Sequence, residues 1–313
     1  MFQYILRRIA ISIITIFVIF TIVSLILYII PGDPAYIILG DSATPETVAA
    51  LRTSLGLDRP LFVQYYDRLK GFMRFDFGKS LYNNRSIGPE LANRLGRTFE
   101  LVITAMILSS LIGIPLGIWA ASSTKFTDLL ISAFSIIGLS LPSIVSGPII
   151  SFLLGVKWKI FPSSGFISSG TNLSGHLVFL AMPVLSLTFF TTGIITRMTR
   201  SCVLDNIRKD YARTASAKGL TKTQVLFKHV LKNSMIPIAT LIGMRMGVML
   251  AGTVITETLF NWPGLSSFLI DAAYRRDYPI IQAVVLTVAV VFVFLNLLVD
   301  LLLGVLDPQI KYN

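Results

Sequence analysis

Six apolar runs, roughly Ile9–Ile30, Phe99–Ala121, Leu129–Val156, Leu177–Thr196, Ile236–Thr256 and Ile280–Leu303, limit what this chain can become. Each is long enough to cross a hydrocarbon layer as a helix, which takes about 20 residues. In lipid every backbone N–H and C=O needs an internal partner, and a helix supplies one to each. The sequence therefore predicts an all-α integral membrane protein with six transmembrane helices. Composition agrees: 54% of the 313 residues are hydrophobic, 14% are charged, and mean hydropathy is +0.75. Pro142 and Pro148 interrupt the third run and predict a kink, or a break into a span and a re-entrant piece. Pro115 and Pro183 mark bends in the second and fourth. The first run is too long for a signal-peptide core and lacks a small-residue cleavage site, so it is expected to stay as a helix.

Charge orients these spans. The segment from Arg197 to Lys232 carries Arg197, Arg200, Arg208, Lys209, Arg213, Lys218, Lys222, Lys228 and Lys232 against Asp205 and Asp210. Lys and Arg collect on the cytoplasmic side, so this segment is expected there. Arg7, Arg8, Lys125 and Lys311 agree, which puts both termini in the cytoplasm of a multi-pass protein of the cell membrane. The expected organisation is residues 1–30 for the N-terminal segment and first span, 31–97 for an extracytoplasmic loop subdomain, and 98–313 for the helical core with a cytoplasmic loop at 197–235. The net charge of +11 serves topology, and no nucleic-acid partner is expected.

The loop has its own grammar. Gly219 suits the first position past a helix end, where a positive φ costs glycine nothing. Thr221 and Gln224 have capping-box spacing, and Leu220 and Val225 occupy the two positions of a hydrophobic staple. Two short helices meeting at one glycine are predicted between Asp210 and Pro237.

Chemistry is excluded more easily than found. No phosphate-cradling G-x-x-x-x-G-K-[ST] loop, HExxH, nucleophile elbow or catalytic carboxylate pair occurs. One cysteine, Cys202, and two scattered histidines, His176 and His229, assemble neither a disulfide nor a metal site. The chain is expected to be no enzyme and to bind no cofactor, with its work driven from outside.

The loop resembles the cytoplasmic "EAA" loop of ABC importer permeases, E-A-A-x3-G-x9-I-x-L-P. Ala215 falls on the last Ala, Gly219 on the Gly and Leu231 on the Leu. Arg213 and Thr214 stand for Glu and Ala, His229 for Ile, and Lys232 for Pro. Further fragments resemble the first permease chain of dipeptide and oligopeptide importers: PGDPA (Pro31–Ala35), LGLDRPL (Leu55–Leu61), QYY (Gln64–Tyr66), DFGKS (Asp76–Ser80), ETLFNWPGL (Glu257–Leu265) and RRDYPIIQ (Arg275–Gln282). The resemblance implies a type I ABC importer permease fold. It also implies a second homologous permease chain, two cytoplasmic subunits that bind ATP and Mg, and an extracytoplasmic solute-binding protein. The implied ATPase-coupling residues are Asp210, Ala215, Lys218, Gly219, Leu220, Thr221, Val225 and Leu231. Peptides are the expected substrates, with nickel chelates or glutathione as the alternative. An ion-coupled secondary carrier is the rival class; it would show internal repeats or several ionisable groups in mid-membrane.

Inside the spans Arg245 stands out. A cation at a helix centre costs about 2.5–3.5 kcal/mol on insertion scales, so it should face water or an acid. At about 100° per residue it shares a face with Ile238, Met249, Gly252 and Thr256, opposite a Gly243/Gly247/Ala251 packing edge. Two readings stand: Arg245 lines the path with Met249, Thr256 and Glu257, or it forms a buried structural pair. Glu257 either lines an outer gate or stabilises its loop. Asp300, one turn past Asn296, is read as capping or snorkelling. Asp33 is read as a turn residue.

Overall fold

The computed structural model describes residues 2–29, 34–54 and 56–306. Its helices run in chain order as α1 (Phe2–Ile29), α2 (Pro34–Leu39), α3 (Pro45–Ser54), α4 (Leu61–Met73), α5 (Ile87–Ser122), α6 (Lys125–Ser140), α7 (Ser143–Ile150), α8 (Leu173–Ile207), α9 (Asp210–Ala217), α10 (Lys222–Val225), α11 (Leu231–Gly252), α12 (Val254–Leu259), α13 (Leu265–Tyr274) and α14 (Tyr278–Leu306). Among the described residues the only extended pairing is an isolated bridge between Lys79 and Ser86. Pro31, Gly32, Asp33, Leu55 and Lys311 lie outside them, so the readings made on those residues are not placed.

Among the described residues five helical segments are long and apolar enough to cross a membrane, and a sixth span results if the pair α6 and Ser143–Lys157 counts as one, bent by 101°. The break falls at Leu141 and Pro142, the cap closing α6 and the cap opening α7, and the second limb finishes as a π-helical turn over Ser151–Lys157. The proline therefore breaks the third run rather than merely bending it. Several helices overrun their apolar stretches. α5 starts at Ile87, twelve residues before Phe99, and α8 continues to Ile207, past Arg197 and Arg200. Backbone pairing rather than lipid thickness sets those ends, because a polar sequence of adequate propensity extends a helix into water. The fifth run ends earlier than expected: Thr253 leaves the helix and separates α11 from α12, so Thr256 and Glu257 belong to a different element from Arg245. The ten-residue apolar helix α13, too short to span, was not anticipated.

The chain divides into two compact units, one built of Phe99–Trp262 with Met1–Ile5 and Leu295–Asn313, the other of Leu6–Thr98 with Pro263–Phe294. In the first, α8 is the axis. Its side chains are buried along most of its length, from His176 to Asn206. Glycine allows this crowding. A Cβ at Gly193 would sit 2.7 Å from the Ser135 carbonyl oxygen of α6, and one at Gly117 would sit 2.5 Å from Thr199 Cβ and 2.6 Å from the Thr196 carbonyl oxygen. Without a hydrophobic drive between helices in lipid, such close backbone approach supplies the packing energy. Asp128 and Arg200 add a two-pronged ion pair between α6 and α8, with Arg200 Nη2 2.6 Å from Asp128 Oδ2. At the other end of α8, His176 Nδ1 lies 2.6 Å from the Ile167 carbonyl oxygen and Nε2 lies 2.7 Å from Glu100 Oε1. Phe166 stands edge-on against both this imidazole and Trp262, and Trp262 lies tilted at 51° to the imidazole.

The second unit explains several of the sequence fragments. Its core joins Ile87 and Leu91 of α5 to Leu265, Phe268 and Ala272 of α13 and Ile280, Ala283 and Val284 of α14. In QYY, buried Gln64 donates to the carbonyls of Leu57 and Arg59, fastening the LGLDRPL turn. There the Arg52 guanidinium and the Thr53 hydroxyl, hydrogen-bonded to Asp58, hold its carboxyl below the usual carboxylate range. DFGKS meets RRDYPIIQ: the Ser80 hydroxyl donates to Asp277 at 2.5 Å, and Asp277 is almost wholly buried. Gln282 Nε2 donates to Ser24 Oγ of α1 at 2.8 Å, and Phe20 of α1 packs on Tyr65 and Phe72 of α4.

If close approach to α8 sets the first unit, Gly117→Val should destabilise by about 1–3 kcal/mol through overpacking. A thermal unfolding scan in detergent should show the drop for Gly117→Val, while Gly252→Ala, where a Cβ meets nothing within 4 Å, should melt like the parent chain.

Candidate coupling site

The polar loop folds as predicted at its corner and differently beyond it. α9 ends on a Schellman arrangement: Gly219 N–H donates to the Ser216 carbonyl at 3.0 Å and Leu220 N–H to the Ala215 carbonyl at 3.4 Å, with Gly219 at φ +86°. The capping box is complete, Gln224 N–H donating to Thr221 Oγ1 at 3.3 Å and Thr221 N–H to Gln224 Oε1 at 2.9 Å. The second helix, however, is not a separate short one. From Lys222 the chain stays helical to Gly252 through a π-helical turn at Leu226–Val230, so α10 is the first turn of the fifth span. No breaker stands between Lys222 and Ile236 to end it, and a change from polar to apolar residues does not.

A small apolar core holds this knob. Ala212 and Ala215 of α9 pack with Val203 of α8 and with Val225, Leu226 and Val230; Tyr211, Leu220, Ile118 and Ala121 close its edges. Leu220 and Val225 thus sit in one cluster, as a staple requires. Of the residues expected to touch a partner, Ala215 and Val225 face this core, Leu220 and Leu231 are half-buried, and Asp210, Lys218, Gly219 and Thr221 are exposed. A Cβ at Gly219 would meet nothing within 4 Å, so the corner is open.

Sequence reasoning missed the strut beneath the knob. Tyr211 hydroxyl donates to Asn206 Oδ1 at 2.8 Å, and Asn206 Nδ2 donates to the Cys202 carbonyl at 2.8 Å and to Ser234 Oγ at 3.1 Å. Ser234 donates in turn to the carbonyls of Val230 and Cys202. Asn206 and Ser234 are buried, so this short network ties α8, α9 and α11 together where water does not compete. One cue was present: Asn206 is four residues from Cys202, the i to i−4 spacing of a helical side-chain bond.

The residues expected along a path are less open. Met249 is buried and its sulfur accepts a weak bond from Thr191 Oγ1 at 3.8 Å; Ile238 is also buried. Arg245 is half-buried, and among the described residues no carboxylate forms an ion pair with it. On the other side of α11, Gly243 makes room for Val299 of α14. Glu257 is fully enclosed; Thr253 Oγ1 donates to its carboxylate at 3.0 Å, and its own carbonyl accepts from Trp262 N–H at 2.8 Å. Thr256 is buried beside it, its hydroxyl without a hydrogen bond to the protein.

Apolar helices long enough to span, with a polar knob between the fourth and fifth, define the class of multi-pass helical membrane proteins. Comparisons agree. Residues 113–312 match the family "binding-protein-dependent transport system inner membrane component", and residues 1–102 match the corresponding N-terminal component. The dipeptide transport system permease protein DppB of Escherichia coli is 37% identical, with all of both chains covered. A probable peptide ABC transporter permease of Sinorhizobium fredii is 38% identical over 99% of each chain, and the glutathione transport system permease protein GsiC of Salmonella typhimurium is 36% identical over all of both. Among solved structures, the inward-facing MetNI methionine ABC transporter aligns with TM-score 0.59 at 15% identity, over 70% of this chain and 96% of that one. This chain belongs to the family of inner membrane components of binding-protein-dependent transport systems. It is a multi-pass permease subunit of the ABC importer class, working with ATPase and binding-protein partners, and it is not the catalytic subunit.

Tyr211→Phe tests the strut. Leaving Asn206 Oδ1 short of its donor costs about 1 kcal/mol or more, so amide exchange over residues 210–217 should speed up several-fold. Lys228→Gln, at an exposed position, should leave it unchanged.

Proposed function

We propose that this chain forms half of the translocation path of an importer for short peptides. Its knob converts closure of cytoplasmic ATPases into movement of α8 and α11. The relatives' names support the substrate class: one is a dipeptide permease, one a peptide permease, and glutathione is itself a peptide. The expected assembly holds a second homologous permease, two ATPase subunits carrying ATP and Mg, and an extracytoplasmic binding protein. Both termini and the knob lie in the cytoplasm, on the Lys and Arg asymmetry.

One observation carries the coupling role: an exposed corner, Lys218–Gly219, is mounted on a buried core and a buried polar strut shared with two spans. A push on such a corner moves the spans rather than bending the loop. Asp210, Lys218, Gly219 and Thr221 present the docking face, and Ala215, Leu220, Val225 and Leu231 give it shape. Nucleotide biases the path only through contacts that differ between its two states, and this corner is where such contacts reach the spans. Arg245 lines the path, with no carboxylate paired to it among the described residues, and attracts a peptide carboxylate. Met249, Thr256 and Glu257 belong to the wall that moves around it.

Ala215 is a poor place to test docking, since any larger side chain there disturbs the knob's core. Lys218→Glu leaves that core intact. In a complex that still assembles, it should abolish peptide-stimulated ATP hydrolysis while basal hydrolysis continues. Stimulation equal to the parent's would rule the docking role out.

A further inference from the structure

Beside the knob lies a groove of about 1110 Å³ lined by none of the four residues of the proposed docking face, Asp210, Lys218, Gly219 and Thr221. One wall is the end of α5, with Pro115, Ile118 and Trp119; another is Leu226 and Phe227. Trp119 and Phe227 are 57% and 59% exposed, large aromatic faces at the end of the spans. Tryptophan placed so is an interface anchor where lipid tails meet headgroups, and phenylalanine offers the tails an apolar face. Arg213 and Lys222 reach the groove from the knob, with the hydroxyls of Ser216 and Thr223 beside them, and no acidic side chain lines it. Among the described residues Asp210 is Arg213's sole acidic neighbour at ion-pair range, at 3.8 Å with both side chains well exposed, a weak and screened contact.

Cations and hydroxyls on the knob side and an apolar, aromatic wall on the span side make one surface with two chemistries. We infer that this groove seats an anionic phospholipid of the cytoplasmic leaflet, its phosphate on Arg213 and Lys222 and its acyl chains along α5 and Phe227. Basic pockets between spans on the cytoplasmic side are suited to such headgroups, and polybasic segments near an anionic leaflet gain about 1 kcal/mol per cation. The consequence is regulatory. Ala212, Val225 and Leu226 line the groove and also belong to the core that shapes the knob, so a seated lipid packs directly on the coupling device. The leaflet assigned rests on the orientation proposed above.

Native mass spectrometry of the whole transporter, purified from vesicles of phosphatidylcholine with phosphatidylglycerol, reads occupancy directly. The expected result is retained phosphatidylglycerol that falls at least about tenfold in Arg213→Gln/Lys222→Gln, while phosphatidylcholine retention does not change. Retention equal in the parent and the double variant overturns the site. So does disulfide capture of another subunit by Phe227→Cys, which would make the groove a protein interface. A variant that fails to assemble is replaced by Trp119→Ala, expected to weaken retention from the apolar side. Copurification of the ATPase subunits with each variant reads the coupling proposal separately, since that contact uses the Lys218 corner and not the groove.

Discussion

Everything in the first unit depends on how closely α8 is approached. Glycines at positions 113, 117, 138 and 193 let the backbones of α5 and α6 come within contact of it, and a side chain at Gly117 or Gly193 would clash with main chain. A helix held this tightly by neighbours cannot tilt alone. The same helix carries a polar anchor near each end, His176 with Glu100 and the Ile167 carbonyl at one, Asn206 with Ser234 and Tyr211 at the other. The packing makes α8 a strut, and the polar contacts decide what it is fastened to. In a medium without water each buried hydrogen bond has few competitors, so a handful of groups suffices.

The coupling role proposed above draws on these contacts. The knob is a corner folded on its own core and bolted to α8 and α11 through Asn206 and Ser234. α11 continues directly from it as one helical run from Lys222. In the coupling role proposed above, a push at Lys218 and Gly219 enters one helical run that passes the π-helical turn at Leu226–Val230 and Pro237 to reach Arg245 and then Gly252. There the helix is interrupted, beside the enclosed Glu257 and the Trp262 turn.

Much of this was legible in the sequence, and what was not has identifiable causes. Apolar length announced the spans, Pro142 announced the break, and Gly219 with Thr221 and Gln224 announced the corner, because each is a local signal with a local cause. Helix ends were misjudged wherever polar residues carried on a helix, as at Lys222 and Ile87, since hydropathy reports the solvent and not the backbone. The strut was invisible for another reason: Asn206 and Ser234 lie 28 residues apart, and polar side chains at the edge of a basic loop look the same whether solvated or buried. Likewise nothing local distinguishes an enclosed Glu257 from one lining a mouth. DFGKS and RRDYPIIQ stood out as fragments, but their meeting through Ser80 and Asp277, 197 residues apart, belongs to the fold.

The central claim is that the knob and α8 move as one body. Spin labels at the exposed positions Arg197 and Lys218, measured by pulsed dipolar spectroscopy in the assembled transporter, test it most directly. The account predicts the same intrachain distance without nucleotide and with ATP bound, while the distance between α8 and the ATPase-bound partner chain changes. A shift of several ångströms within this chain would show a hinge inside the knob and contradict the account.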